Sequence, residues 1–376
     1  MTLDFNRAML ADDWQDGLFL GRVETSEGPS PVLLASGVIY DMSRICPTAS
    51  QLVTDRAFDA SAGIALGEID LIERGELRVL SPVDLQCVKA AGVTFAVSAL
   101  ERVIEERAGG DAGKAADIRE GLEGAIGKSI SGVRPGSEEA MALKMMLIEQ
   151  GMWSQYLEVA IGPDAEIFTK AAVLSTVGTG AEVGIRSDSN WNNPEPEIAI
   201  LADEEGEPVG ACLGNDVNLR DFEGRSALLL GKAKDNNASC ALGPLVRMFD
   251  STFTMDDVRT ADITLVIRGK DNYELEGCSS MRQISRDPVD ILAQAMSEHN
   301  YPDGLILLLG TLFAPTQDRE MAGKGFTHKI GDLVSISTPK LGTLVNRVTG
   351  CRSAAPWTLG INGLMRNLAA RGLLDG

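Results

Sequence analysis

The residues best equipped for chemistry are acidic. Glu195 and Glu197 stand two apart in "NNPEPEIAIL" (192–201), where polar, turn-forming residues give way to an apolar run. Side chains two apart in an extended chain share a face. Two like charges therefore sit side by side, and nothing in the stretch neutralises them. The run continues through an acidic turn, "ADEEGEPVG", into a second apolar stretch that ends in "GNDVNLRD" (214–221). A hairpin returns its second strand beside its first, which brings Asp216 next to Glu195 and Glu197. Three carboxylates with no histidine or thiolate select a hard cation, Mg²⁺ or Mn²⁺. Three carboxylates leave positions open on an octahedral ion. Those positions suit a chelating 2-keto acid, with one carboxylate and one keto oxygen. The E-x-E alone also describes a solvated strand end, because glutamates are usually exposed; Pro194, Pro196 and the returning Asp216 weigh against that.

Other chemistries lack their residues. Histidine occurs only at 299 and 328, and there is no G-x-S-x-G, which argues against a Ser-His-Asp hydrolase. There is no Walker A motif, and "GTGAEVG" (178–184) has the wrong glycine spacing for a dinucleotide fingerprint. The six cysteines (46, 87, 212, 240, 278, 351) form no C-x-x-C pair and read as free thiols in a reducing compartment. A net charge of −20 argues against nucleic acid or an anionic membrane as partner. The longest apolar run, "GLILLLGTLFAP", is too short to span a bilayer and is broken by Gly310. "MTLDFNRAMLADDWQDG" has early acids and no apolar h-region, so no signal peptide is expected. The expectation is a soluble cytoplasmic protein.

The elements that must position the acids are mostly strands. A chain of 376 residues with 44% hydrophobic content has room for one large domain and an appendage. Residues 18–80 read as short strands and turns, with a hairpin in "GRVETSEGPSPVLLASGVIYD", and "SPVDLQCVKAAGVTF" (81–95) reads as a joint. Apolar positions at 97, 100, 103 and 104 predict a helix over 96–108. A second helix is expected over 137–150, with Met145 and Met146 in the core. Strands then dominate, with hairpins in "EIAILADEEGEPVGACLG", "ADITLVIRGKDNYELEG" and "GDLVSISTPKLGTLVNRV". In "RDPVDILAQAMSEHN", Asp287 is the expected N-cap and Pro288 the first helical residue. The sum is an α+β catalytic domain (81–376) behind a small N-terminal domain (1–80).

"NNPEPEIAILADEEGEPVGACLGNDVNLRDFEG" followed by "KDNNASCALGP" resembles the fumarylacetoacetate hydrolase family over roughly residues 82–376. The family pattern is an E-x-E, a G-N-D some twenty residues later, and a lysine ten residues before the proline of a G-P. Glu195, Glu197, Asp216, Lys234 and Pro244 match in order and spacing. The resemblance implies a mixed β-roll or sandwich with a small N-terminal α/β appendage. It also implies Mg²⁺ on the three carboxylates and a homodimer or homotetramer.

One departure narrows the chemistry. Family members that cleave C–C bonds commonly carry N-Y-x-x-H-x-x-E, whose His and Glu activate water. The matching "GVTFAVSALE" (92–101) has Thr94 and Phe95 for Asn-Tyr and Ser98 for the histidine, and keeps Glu101. This form, together with "EIFTK" (166–170) and the N-terminal appendage, resembles the family's sugar-acid branch. That implies a Mg²⁺-dependent hydro-lyase of pentose (xylose) catabolism, converting 2-keto-3-deoxy-D-pentonate to 2,5-dioxopentanoate and water without a redox cofactor. Glu166 is the expected base, with Glu101 second. Lys234 would polarise an oxygen or protonate the leaving hydroxyl. Thr94, Ser98, Gly310 and Thr311 are expected to contact substrate, and the N-terminal unit to supply no metal ligand. The alternative is a Mg²⁺-dependent hydrolase of a 2,4-diketo acid, using Glu101 with Ser98 and water.

Overall fold

The apolar runs become strands whose alternate side chains feed two separate cores. The computed structural model describes residues 5–122, 132–320 and 325–374. The strands used below are β1 (Leu18–Thr25), β2 (Gly28–Ala35), β3 (Val38–Asp41), β4 (Ile64–Glu68), β5 (Cys87–Gly92), β6 (Glu166–Ala171), β7 (Glu182–Ile185), β8 (Pro196–Ala202), β9 (Pro208–Asp216), β10 (Cys240–Met248), β11 (Asp262–Arg268), β12 (Glu274–Ser280), β13 (Leu305–Leu308), β14 (Leu333–Thr338) and β15 (Gly342–Gly350). The helices are α1 (Ala49–Thr54), α2 (Ala96–Ala108), α3 (Ala112–Leu122), α4 (Glu138–Glu149), α5 (Gln155–Ile161), α6 (Arg220–Glu223), α7 (Leu230–Lys234), α8 (Pro288–Met296) and α9 (Ile361–Ala370).

An eleven-stranded sheet runs β4–β3–β2–β1–β10–β9–β8–β13–β5–β6, with the short strand Arg78–Val79 paired to β1. A five-stranded sheet runs β12–β11–β14–β15–β7. Only the β13–β5 and β15–β7 pairs among these strands are parallel. On β8, Ile198, Ile200 and Ala202 join Leu265, Ile336 and Leu344 of the small sheet in one core. The intervening Ala199 and Leu201 join Met42, Leu52 and Val53, around α1, in a second. β9 and β13 divide in the same way, so the middle of the large sheet is covered on both faces. Strands in such a position read as unbroken apolar runs. Glu197 follows the alternation of Ala199 and Leu201 and so points to the α1 side, at the strand's beginning.

The three expected hairpins close as β8–β9, β11–β12 and β14–β15. The segment over 21–41 is a meander rather than a single hairpin, because β3 adds to β2. Residues 1–80 supply β1–β4. Since β1 pairs with β10, these strands extend the large sheet instead of building their own; residues 1–4 lie outside the described part. α2 forms as its apolar spacing predicts, and Gly109 ends it at φ 62. Asp287 caps α8 by accepting from Val289 N at 2.9 Å. α4 buries Ala140, Leu143 and Leu147, whereas Met145 and Met146 face solvent: the helix turns its buried stripe past them. The cysteines form no disulfide. Among the described residues no helix is long and apolar enough to cross a membrane.

Candidate metal centre and active site

The β8–β9 hairpin builds the acidic cluster. Glu197 pairs across to Gly214, and Asp216 N donates to Glu195 O at 3.1 Å. The three side chains are buried, and one ligand oxygen from each lies within 4.8 Å of the others. Buried like charges demand cations, and the chain supplies three. Lys234 Nζ, at the end of α7, reaches Glu195 Oε2 at 2.5 Å and Asp216 Oδ2 at 3.0 Å. Lys170 Nζ, on β6, lies 2.7 Å from Asp216 Oδ1 and also donates to the Lys234 carbonyl. Arg102, on α2, donates from Nη2 to Glu195 Oε1.

The electrostatics differ from acid to acid. Burial opposes ionisation of Glu195, but Lys234 and Arg102 outweigh it and hold the carboxyl down at about 2. Glu197 is pushed well up by burial and by the adjacent Asp216 and Glu195. Its Oε2 accepts from Gly310 N at 2.8 Å. A divalent ion among these oxygens would relieve the repulsion that Glu197 carries, so the donor set fits the hard cation its chemistry selects.

A cavity beside the cluster is lined by Ser98, Arg102, Glu166, Glu223, Lys234 and Thr311, among others. Glu166 begins β6 opposite Gly92 of β5, and burial raises its carboxyl. Val93, also at the cavity, holds φ 57, a costly conformation for a β-branched residue and one that concentrates at functional sites. Ser98 reaches the cavity, but its hydroxyl donates to Phe95 O at 2.8 Å and closes the start of α2. Thr311 reaches it too, with Oγ1 donating to Phe313 O at 3.0 Å.

Three expected site residues stand outside the lining. Thr94 is fully buried and donates to Leu309 O at 2.6 Å. Gly310 spends its N–H on Glu197, and at φ 98 a side chain there would overlap Thr94 Oγ1. Glu101 accepts from Arg119 (2.6 Å) and Arg220 (2.7 Å). Burial would raise its carboxyl, but the two guanidiniums outweigh that and lower it.

Two charged cavity residues escaped the sequence reading, as did Lys170 beside Asp216 and the uncharged lining of Ala91, Gly92, Val93 and Phe168. Arg102 sits in "ERVIEERA", which on a helix looks like an ordinary charged face. Glu223 closes "RDFEG", where nothing separates it from a solvated acid. It is buried, with Oε2 3.2 Å from Arg102 Nη1, and burial lifts its carboxyl to about 7. No cavity-lining residue comes from the described residues 5–80.

Comparison with known proteins follows the same strands. The "Fumarylacetoacetate (FAA) hydrolase C-terminal" family model matches residues 162–349, half of the chain. A 2-dehydro-3-deoxy-D-arabinonate dehydratase of Saccharolobus solfataricus is 32% identical over 186 residues, 49% of this chain and 58% of that protein. A probable 2-keto-3-deoxyxylonate dehydratase of Haloferax volcanii is 30% identical over 201 residues, 54% of this chain and 66% of that one. These matches therefore span less than two thirds of each relative. Among solved structures, a 2-keto-3-deoxy-D-arabinonate dehydratase complexed with magnesium and 2,5-dioxopentanoate superposes with a TM-score of 0.62 at 22% identity, over 89% of this chain and 98% of that one. A fumarylacetoacetate hydrolase of Exiguobacterium antarcticum superposes at 0.54 with 18% identity, over 89% and 99%. At these identities the superpositions establish the mixed fold of helices and open sheets. The matched segment carries the carboxylate triad, Lys234 and the sheets that hold them, and by that match the chain belongs to the fumarylacetoacetate hydrolase family.

Proposed function

We propose that this chain is a Mg²⁺-dependent hydro-lyase that converts 2-keto-3-deoxy-D-pentonate to 2,5-dioxopentanoate and water. The observation that carries the reading is the fate of the water-activating position. Ser98 stands where a histidine would be and is turned to a backbone carbonyl, and Glu101 is committed to two arginines. Glu166 meanwhile opens onto the cavity beside the carboxylates. The site is thus equipped to remove a proton from carbon and poorly equipped to activate water. The similarity to dehydratases that act on such acids supports the same substrate class.

Glu195, Glu197 and Asp216 would hold the metal, Mg²⁺ or Mn²⁺. When bound, it supplies Lewis acidity to a chelated 2-keto acid, which makes the C3 hydrogens acidic. Glu166, its basicity raised by burial, takes a C3 proton. Lys234, kept as an ammonium because Asp216 and Glu195 outweigh its burial, offers fixed positive charge to an oxygen of the substrate. Thr311 and Ser98 shape the wall on which the substrate lies. The same reading makes the protein a cytoplasmic homo-oligomer of pentose catabolism.

The test is turnover of a panel of 2-keto-3-deoxy sugar acids, scored for aldehyde and for pyruvate. The expected result is semialdehyde from the D-pentonate with Mg²⁺ and none after EDTA, restored by Mg²⁺ or Mn²⁺. Cleavage of acylpyruvates to pyruvate with no action on the pentonate would transfer the protein to the hydrolase reading.

A further inference from the structure

On the dehydratase reading, which the assignment of a donor presupposes, expelling a hydroxyl as water needs a proton source as well as a carbon base. Most polar groups lining the cavity have no proton to give. Ser98 and Thr311 donate to the backbone carbonyls of Phe95 and Phe313. Arg102 does not release a proton. Lys234 is clamped between Glu195 and Asp216, both of which hold it in its charged form. Glu195, Glu197 and Asp216 are the metal set. Among the described lining residues, Glu166 and Glu223 are the carboxyls left over.

They come from different elements, Glu166 from β6 and Glu223 from α6. The Glu223 side chain is 3% exposed. Its Oε2 lies 3.2 Å from Arg102 Nη1 yet makes no hydrogen bond, because that guanidinium bonds Glu105 and Glu195 instead. A buried carboxyl oxygen that has an ion pair but no hydrogen bond, in a residue lining a cavity, has room for a further hydrogen-bond partner. A hydroxyl of the substrate is such a partner.

We propose that Glu223 is the catalytic acid of this site, protonating the C4 hydroxyl as it leaves and then recovering a proton from C5. Glu166 takes a C3 proton, the C3 electron pair forms the C3–C4 double bond, and the C4–O bond breaks with the Glu223 proton to release water. The Glu223 carboxylate then removes a proton from C5, the electrons shift to a C2–C5 dienolate, and Glu166 returns its proton to C3. The remaining C5 enol ketonises by exchanging its O–H proton for one at C4. Both carboxyls end in their starting forms, and no oxidant is needed.

The surroundings suit a group that must both give and take. The side chain is faced by Arg102 and Glu105 from α2, Lys234 from α7 and Glu195 before β8, while Tyr156 of α5 bonds the Glu223 backbone carbonyl at 3.2 Å and leaves the carboxyl free. Burial is the largest influence and leaves the carboxyl near neutrality.

The near-isosteric Glu223→Gln tests this in the Mg²⁺-loaded enzyme. Dehydration of the pentonate should fall on the order of 10²-fold or more. Exchange of the C3 hydrogens of 2-oxopentanoate in D₂O, which needs Glu166 but no leaving group, should stay within about threefold of wild type. A 4-fluoro-4-deoxy analogue, whose fluoride leaves with less help from an acid, should lose far less rate than the natural substrate. Glu223→Asp should recover part of the dehydration that Gln loses. Dehydration within about threefold of wild type in the Gln variant, equal loss of dehydration and exchange, or an Asp variant no better than Gln would each overturn the assignment. A wild-type enzyme that exchanges 2-oxopentanoate but never dehydrates the pentonate would remove the underlying reading instead.

Discussion

Gly92 lacks a side chain because of what faces it across the strand pair. It is the β5 partner of Glu166 on β6, and a Cβ there would overlap Glu166 Oε2. Gly92→Ala should therefore displace the proposed base while leaving the metal carboxylates in place. The expected outcome is a fall in kcat of roughly 10- to 100-fold with Mg²⁺ affinity unchanged, checked by steady-state kinetics and calorimetry. Glu197 behaves differently. Its carboxyl is raised in the fold, so the stability it gives is present at low pH and is lost as pH rises from the unfolded value through the folded one. Glu197→Gln should weaken Mg²⁺ binding by more than about tenfold while leaving the metal-free protein at least as stable, as thermal unfolding with and without EDTA would show. The carboxylate triad was legible in the sequence because it depends on two local rules, the period of two in a strand and the return of a hairpin. Arg102 and Glu223 were not, because their meeting depends on α2 packing against a four-residue helix more than a hundred positions later.

Around α2 the charges form a chain of alternating sign, from Arg119 through Glu101, Arg220 and Glu105 to Arg102 and Glu195. Arg220 is 1% exposed, so its carboxylate partners hold up the fold. Glu101→Gln should destabilise the protein by about 3–5 kcal/mol, the cost of stranding a buried charge, while changing kcat by less than about tenfold. A general base lost there would reverse that ratio, so denaturant unfolding and kinetics on one preparation decide it. Helix 96–108 was readable from its apolar spacing, but the same spacing left its charged face looking solvated. A second clamp ties the N-terminal segment to the large sheet. Arg247 of β10, fully buried, binds Asp13 at 2.6 Å, and Lys340 joins it at 2.7 Å. Arg247 holds the Asp13 carboxyl at about 2, below its unfolded value, so the stability it gives is present above about pH 4 and is lost as pH falls through 2. Wild type should exceed Asp13→Asn by about 2 kcal/mol at pH 6, with the gap closing between about pH 4 and 2 in urea titrations.

At the scale of the whole molecule, Lys234, Lys170 and Arg102 compensate Glu195 and Asp216 of the carboxylate cluster and leave Glu197 without an ion pair among them. The fold is therefore expected to form without Mg²⁺, and an ion bound there would compete with a guanidinium and an ammonium for Glu195. Mg²⁺ should raise the unfolding free energy only by mass action, about 2.7 kcal/mol at one hundred times its dissociation constant. A melting temperature that climbs with the logarithm of Mg²⁺ concentration, starting from a cooperative transition in EDTA, is the expected record. The α+β class and the three hairpins could be read from turn residues and alternation. The sharing of one sheet between residues 1–80 and the rest could not, since strand neighbours far apart in sequence leave no local mark.

That sharing has a bearing on how the chain is made. Leu20 of β1 pairs with Val246, so at ~5–20 residues per second the ribosome takes roughly ten to forty-five seconds to deliver the partner strand. Until then the β1–β3 meander emerges with one edge of β1 open, including the apolar Phe19 and Leu20 that end up fully covered. Such an edge can pair with the wrong chain. The β8–β9 hairpin, by contrast, waits for no distant partner, since its two strands are joined by their own turn. Strands made well before their partner are thus among the last to be seated, and nascent-chain crowding bears on a segment that lends no described residue to the cavity lining.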